Sequence, residues 1–211
     1  MVITERDRQI FNFFAKWRFG TIAQLRKAGI FSASDKRCYK RLLLLRNSGL
    51  IQSIQLAGGQ TYYHLLPKSG EIIGLKYPWY SSIFRGAGDS TAVQYLVFCD
   101  YAQAAGIDYL STEESLRRIS ASNYDVLKKI IKSHDRFYEQ NGLLHAMVVD
   151  FGLSMKYLAE RAGAYARLPV VLRESLVVVF LTFNDAKKDA VARAVNGSGL
   201  KVKLLKANWK Y

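Results

Sequence analysis

A segment near residue 40 combines cations and hydroxyl groups in a pattern typical of nucleic-acid recognition. Its candidate contact residues are Ser32, Ser34, Lys36, Arg37, Lys40 and Arg41. Lysine and arginine pair with guanine edges in the major groove, while serine hydroxyls and a helix amino terminus can hold a backbone phosphate. The chemistry that these residue types offer is therefore the binding of a polyanion.

The spacing of neighbouring apolar residues predicts the helix that would position these cations. Cys38, Leu42 and Leu45 recur at i, i+4 and i+7, so they share one helix face. If that face packs inward, the cations lie on the opposite side. The alternative is an ordinary core helix whose solvated back is basic.

The elements around this helix predict a DNA-binding unit over residues 1–75. Thr4 and Thr21 are suitable N-cap residues for two preceding helices. After Gly49, the strand-like segments "LIQSIQL" and "QTYYHLL" enclose the loop "AGGQ" and predict a β-hairpin. Three helices followed by a hairpin are the order of a winged helix-turn-helix, whose recognition helix enters the major groove. This order favours DNA binding over the alternative of a solvated basic face.

The tip of the predicted wing contains neither lysine nor arginine. We expect it to contact DNA through backbone amides and through Gln60 and Thr61, along phosphates or in the minor groove. Tyr62 and Tyr63 alternate faces within a strand, so we expect them to pack rather than to stack on bases.

Composition favours the same class of partner. The 211 residues contain 31 Lys and Arg against 17 Asp and Glu, for a formal charge of +14. Such an excess favours nucleic acid or an anionic membrane surface, the alternative being a generally basic soluble protein. The longest apolar run, Leu176–Phe183, is far shorter than the ~20 residues of a membrane helix, and no helix pattern suits the membrane surface. We expect a cytoplasmic protein with no export signal and no membrane partner.

The second half alternates helix-like and strand-like segments. Asn141-Gly142 between apolar runs predicts a tight hairpin, and the run "SLVVVFLTF" is apolar throughout, as in a central strand. We expect an irregular linker over 76–89 and an α/β domain with four or five strands over 90–211.

The chain has two cysteines, Cys38 and Cys99, which are too few for a disulfide framework or a structural zinc site. We expect both to be buried.

Motifs within residues 4–70 resemble the replication-relaxation family of bacterial mobile-element proteins, which includes the MobC-type mobilization proteins. The matching segments are "TERDRQIFNFFAKWRFGTIAQLRKAGIF", "CYKRLLLLRNSGLIQ" and "YYHLLPKSG". The resemblance implies an α+β chain, with an amino-terminal winged helix-turn-helix followed by an α/β restriction-endonuclease-like domain.

The resemblance also implies a metal-dependent site in the second domain. Such a core has one Asp on a hairpin strand and Asp/Glu-x-Lys on the next, where two carboxylates hold the metal and the lysine steadies developing charge. Asp135 and Asp150 match the carboxylates and would bind Mg²⁺ or Mn²⁺ if the site is active. The residue two past Asp150 is Gly152 rather than lysine, so the motif is incomplete.

Three interpretations of this site follow. In the first, the nuclease site is degenerate and the domain is a scaffold. In the second, Lys156 supplies the missing charge, with Glu113 or Glu114 as a further carboxylate. In the third, Asp150 merely ends a strand.

A tyrosine nucleophile for strand nicking is a chemical alternative. Its candidates are Tyr157, Tyr165 and Tyr211. The tail offers Lys201 and Lys203 either as a second basic patch or as the charges of a protected edge strand.

These features favour a double-stranded DNA-binding protein of a bacterial plasmid or mobile element. It would act at an origin of transfer or replication, with relaxosome or replication proteins, or a second copy of the chain, as further partners. One alternative is a winged-helix transcriptional repressor. The other is a Mg²⁺- or Mn²⁺-dependent DNA nickase or relaxase.

Overall fold

The computed structural model describes residues 2–32, 35–75, 82–110, 121–132 and 135–207. The chain forms two compact units that divide between Ala104 and Ala105. The first contains a small antiparallel sheet and the second a five-stranded mixed sheet, so the expectation of a mixed α+β protein is confirmed. Among the described residues, none of the helices has the length and apolar character that a transmembrane segment requires.

The first unit consists of helices around a two-stranded hairpin. Its elements are α1 (Glu5–Trp17), α2 (Ile22–Lys27), α3 (Asp35–Asn47), β1 (Ile51–Gln55), β2 (Thr61–Leu65), α4 (Pro67–Ile72), a 3₁₀ helix (Ser82–Phe84) and α5 (Asp89–Ala105). The predicted order of three helices and a hairpin is therefore present.

The first two helices begin as predicted because each has a complete capping box. The side chain of Thr4 accepts a hydrogen bond from the backbone of Asp7, whose carboxylate accepts one from the backbone of Thr4 in return. Thr21 and Gln24 make the same reciprocal pair at α2. Each box satisfies two amide groups that a helix start would otherwise leave without partners.

The predicted inner stripe of α3 is confirmed. Cys38, Leu42 and Leu45 are all fully buried. The hairpin that follows is antiparallel, with Ile51 opposite Leu65. Lys36, Arg37 and Lys40 lie outside this stripe and are exposed, whereas Arg41 and Leu43 are half-buried.

Gly20 brings the α1–α2 connection against the hairpin. Its backbone exchanges two hydrogen bonds with Tyr63 on β2. A Cβ atom at this position would lie 2.5 Å from the ring of Phe13, so no larger residue fits without displacing that ring. The close approach fixes the hairpin relative to α1.

Part of the expected linker, the segment that follows residue 81, packs on the hairpin. The hydroxyl of Tyr62 donates to the carbonyl of Ala87 at 2.9 Å. Gln24 in turn donates to the carbonyl of Leu96 in the middle of α5 at 2.8 Å. The expected linker covered 76–89, of which 76–81 lie outside the described residues. The expected start of the second domain at residue 90 differs from the observed division, because α5 belongs to the first unit.

The second unit contains one mixed sheet with helices. Its elements are β3 (Tyr109–Leu110), α6 (Ala121–Ile130), β4 (Asp135–Gln140), β5 (Leu143–Val149), α7 (Met155–Ala166), α8 (Val170–Ser175), β6 (Leu176–Thr182), α9 (Asp185–Val195) and β7 (Lys201–Lys206). The strand order is β3-β4-β5-β6-β7, antiparallel through β5 and parallel from β5 to β7.

The sequence signals of this unit are confirmed where the structure describes them. Asn141 and Gly142 form the β4–β5 turn, with φ of +54° and +72°, the left-handed conformation that a two-residue hairpin loop requires. Every residue of β6 is buried. One sheet face packs against helices α6, α7 and α9 through Leu127, Phe137, Ala146, Val148, Leu158, Ala162, Tyr165, Val178, Phe180 and Val191. The sequence pattern also predicts a helix from Ser111 or Thr112, a segment that lies outside the described residues.

Candidate nucleic-acid interface

The side of α3 opposite its buried stripe is a cationic surface. Lys36, Arg37 and Lys40 are exposed, as predicted from the helical period. Ser32 is also exposed, whereas Ser34 lies outside the described residues. Three exposed cations within two turns of one helix are an arrangement that suits a phosphate-lined groove.

Other side chains extend this surface beyond the residues singled out from the sequence. Tyr39 is 55 % exposed, and Arg46 and Asn47 are exposed near the end of α3. Arg46 lies within 3.4 Å of Ser53 on β1. The helical period places Asn47 close to Lys36 and Lys40 on the helix circumference. The sequence pattern could therefore have identified Asn47 as a surface residue of this side of α3. The exposed surface of α3, which consists of Lys36, Arg37, Tyr39, Lys40, Leu44, Arg46 and Asn47, is called the α3 face below.

Arg41 differs from the other cations because it pairs with a buried carboxylate. Its guanidinium donates to both oxygens of Asp7, with 2.6 Å between Nε and Oδ1, and also to the carbonyl of Val2. Asp7 is completely buried. Burial alone would raise the pKa of Asp7, but hydrogen bonds from Arg41 and Thr4 outweigh it and leave that pKa below its ordinary value. The hydrogen bond to Asp7 raises the pKa of Arg41, so the charge of Arg41 is engaged in joining α3 to α1.

The hairpin tip offers fewer free groups than its sequence indicates. The amide of Ala57 donates to the carboxylate of Asp89 at 2.8 Å. Gln60 and Thr61 are half-buried, and the carbonyl of Gln60 accepts a hydrogen bond from Leu56. The expected packing role of the following tyrosines is confirmed, since Tyr62 and Tyr63 are both buried (0 % and 5 % exposed).

In the second unit, Asp135 is the centre of a buried polar cluster. Its carboxylate accepts hydrogen bonds from Arg161, from the hydroxyl of Tyr165 at 2.9 Å and from the amide of Lys132 at 2.9 Å. Arg161 also donates to the carbonyl of Ile130. The cluster therefore joins the start of β4 to α7 and to the end of α6.

Asp150 lies at the carboxyl end of β5 and pairs with a lysine of α9. Nζ of Lys187 lies 2.9 Å from its Oδ1 and 2.7 Å from the carbonyl of Leu153. Burial raises the pKa of Asp150, although the charge and hydrogen bond of Lys187 oppose that shift. Lys156, the residue expected to supply the positive charge, is exposed on α7.

The sequence does contain a signal for Lys187. It falls in the first turn of a predicted helix that directly follows an apolar strand. The carboxyl ends of adjacent parallel strands meet at one sheet edge, so this helix start comes close to the residue after β5.

The candidate carboxylates are engaged by cations of their own unit, although Oδ2 of Asp150 is buried without a hydrogen-bond partner among the described residues. Asp135 already accepts from an arginine, a tyrosine and an amide, while Asp150 pairs with an ammonium group. No hydrogen bond or ion pair between described residues joins Asp135, Asp150 and Lys156. Within the described ranges there is no group of three His, Cys, Asp or Glu side chains placed to bind a metal. Glu113 and Glu114 lie outside those ranges.

The tyrosine and lysine candidates of the second unit are placed as follows. Tyr165 is completely buried, and this burial together with the charge of Asp135 raises its pKa well above the ordinary value, which opposes formation of a phenolate nucleophile. Tyr157 is half-buried on α7, and Tyr211 lies outside the described residues.

Lys201 and Lys203 are exposed on β7, the last strand of the sheet order. This position is compatible with a second basic patch and with the charges of a protected edge strand.

Comparisons of the chain with protein-family models, with curated proteins and with solved structures gave no match.

Proposed function

We propose that this protein binds double-stranded DNA through its first unit, acting as a winged helix-turn-helix with α3 as the recognition helix. The observation that carries the proposal is the division of α3 into two sides. Cys38, Leu42 and Leu45 are fully buried, while Lys36 and Lys40 project from the opposite side. This geometry leaves a helix face free to enter a major groove.

The α3 face contains groups for contacts with base edges and for contacts with backbone phosphates. Lys36 lies in the first turn, the part of a recognition helix that approaches base edges. Arg46, next to the hairpin, and Asn47, the last residue of α3, offer groups for phosphate contacts. Because Arg41 is engaged by Asp7, we assign it to positioning α3 rather than to contacting DNA.

The biological setting that we propose rests on the resemblance of residues 4–70 to mobile-element proteins. In that setting the protein binds an origin of transfer or replication of a bacterial plasmid. We assign the second unit to assembly with relaxosome or replication proteins rather than to cleavage. The support for this choice is that Asp135 and Asp150 are each engaged by a cation of their own unit.

Fluorescence anisotropy with a labelled duplex tests the proposal. The triple variant Lys36→Gln, Arg37→Gln, Lys40→Gln removes three charges from the α3 face. Loss of a specific side-chain contact costs about 1–3 kcal/mol, so we expect the affinity to fall by about tenfold or more.

A charge-matched control separates a local effect from an effect of net charge. The variant Lys129→Gln, Lys156→Gln, Arg193→Gln removes three exposed cations of the second unit. We expect its affinity to remain within a few-fold of the wild type. Equal losses in the two triple variants, or no loss in the first, would contradict the proposal.

A further inference from the structure

An open groove lies between the start of α1 and one side of α3, lined by charged residues together with Thr4 and Leu44. Its volume is about 670 Å³. Its charged lining residues are Glu5, Arg6, Arg37, Lys40 and Arg41. The groove borders the α3 face, since Arg37 and Lys40 belong to both.

The groove retains an excess of positive charge after internal pairing. Arg41 is neutralised by Asp7. Three cations then remain (Arg6, Arg37 and Lys40) against one carboxylate, that of Glu5. All four of these side chains are exposed, so a ligand from solvent can reach them.

Arg6 lines this groove and contacts an aromatic ring. Its guanidinium lies 5.6 Å from the ring centroid of Phe31, a buried residue between α2 and α3. A cation above an aromatic face at this distance is attracted to it. This contact restricts the side chain before any ligand binds, and the planar fork of arginine matches phosphate oxygens.

We propose that the groove binds a phosphate of the duplex backbone and that Arg6 is its principal ligand, with Arg37 and Lys40 alongside. This inference rests on the proposed DNA-binding function. It adds α1 to the interface, because the contact comes from the first turn of that helix. Glu5 acts against the phosphate and weakens binding by like-charge repulsion.

The test is the salt dependence of duplex affinity for single variants. Each phosphate contact contributes about 0.9 to the slope of log K against log salt concentration. We expect Arg6→Gln to make that negative slope shallower, reducing its magnitude by about one. Arg6→Lys should retain the wild-type slope and bind more weakly. Glu5→Gln should increase affinity, a result that damage to the fold cannot produce.

The matched control is Lys68→Gln, which removes an exposed cation of α4 that does not line the groove. We expect it to leave the slope unchanged. An unchanged slope for Arg6→Gln, or an equal fall in Lys68→Gln, overturns the phosphate site. If the α3 triple variant still weakens binding in that case, the proposed function stands. Absence of duplex binding by the wild type overturns both proposals.

Discussion

Arg41 and Asp7 form a two-point ion pair that joins α3 to the first turn of α1. Nε of Arg41 lies 2.6 Å from Oδ1 of the carboxylate, and Nη2 binds the second oxygen. Asp7 also completes the capping box of α1 with Thr4. One carboxylate therefore fixes both the start of α1 and the orientation of α3, the helix to which we assign DNA recognition.

Neighbouring cations of α3 should separate into a structural and a binding class. Arg41→Gln leaves Asp7 buried without its cation, and we expect a loss of about 1–3 kcal/mol in the free energy of unfolding. Lys40→Gln should change that free energy by less than about 0.5 kcal/mol while weakening duplex binding. Urea denaturation and anisotropy on the same samples measure both effects. Equal stability losses would contradict the division.

The Asp7 pair should make the first unit sensitive to acid. The pKa of Asp7 is lowered from its ordinary value of 3.8, so the folded state holds this proton less tightly than the unfolded state. Its contribution to stability is present above about pH 4 and disappears as the pH falls through the lower folded value. We expect Asp7→Asn to cost about 1–3 kcal/mol at about pH 6.

Denaturation of the wild type and Asp7→Asn across the acid range measures this contribution. The difference in stability between them should shrink below the ordinary pKa of the carboxyl. A difference that is independent of pH would show that the ionised carboxylate is not the stabilising form.

Lys187 and Lys156 should differ in their effects on the second unit. Lys187→Met leaves Asp150, which is 1 % exposed, without a cation, and we expect a loss of about 1–3 kcal/mol near neutral pH. The loss should diminish at low pH, where protonation removes the buried charge. Lys156→Met, at an exposed position, should change stability by less than about 0.5 kcal/mol. A larger loss in Lys156→Met would indicate that it, rather than Lys187, supports the carboxylate.

Divalent metals should not stabilise this protein. Asp135 and Asp150 are engaged by Arg161 and Lys187, so a metal would compete with an existing cation at each carboxylate. We expect the thermal midpoint to be the same with Mg²⁺, with Mn²⁺ and with EDTA, because a ligand that binds only the folded state raises that midpoint. The scaffold assignment would be contradicted if either metal raised the thermal midpoint of the wild type and did not raise that of Asp150→Asn.

The elements that could be predicted from sequence are those with a strong local signal. The caps at Thr4 and Thr21, the stripe through Cys38, Leu42 and Leu45, and the turn at Asn141-Gly142 each depend on residues close in the chain. Local chemistry determines such features before distant parts of the chain meet.

The partners of charged residues were harder to predict because they are distant in sequence. Arg41 and Asp7 are 34 residues apart, and Asp135 and Arg161 are 26 apart. The periodicity of α3 places Arg41 beside the exposed cations, and only the packing of α1 reveals that its charge is used. The same limit concealed the groove around Arg6, whose walls come from α1 and α3.

The observed division between the two units lies after Ala104 rather than before residue 90, the position expected from the sequence, for another physical reason. Helix α5 buries residues on most of its circumference, among them Val93, Leu96 and Cys99. A helix that is apolar all round gives no polar face to indicate which unit covers it. Its hydrogen bonds with Gln24 and Arg18 belong to the first unit, whereas the change of pattern near residue 90 indicated the second.

Amide chemical-shift mapping during titration with a duplex tests the central claim most directly. We predict that the largest shifts occur at Lys36, Arg37 and Lys40, with further shifts at Asn47 and at Arg6 beside the groove. We also predict that Lys129 and Arg193, the control positions of the second unit, stay unshifted. Saturable binding that leaves the amides of α3 unchanged would contradict the claim that this helix contacts DNA.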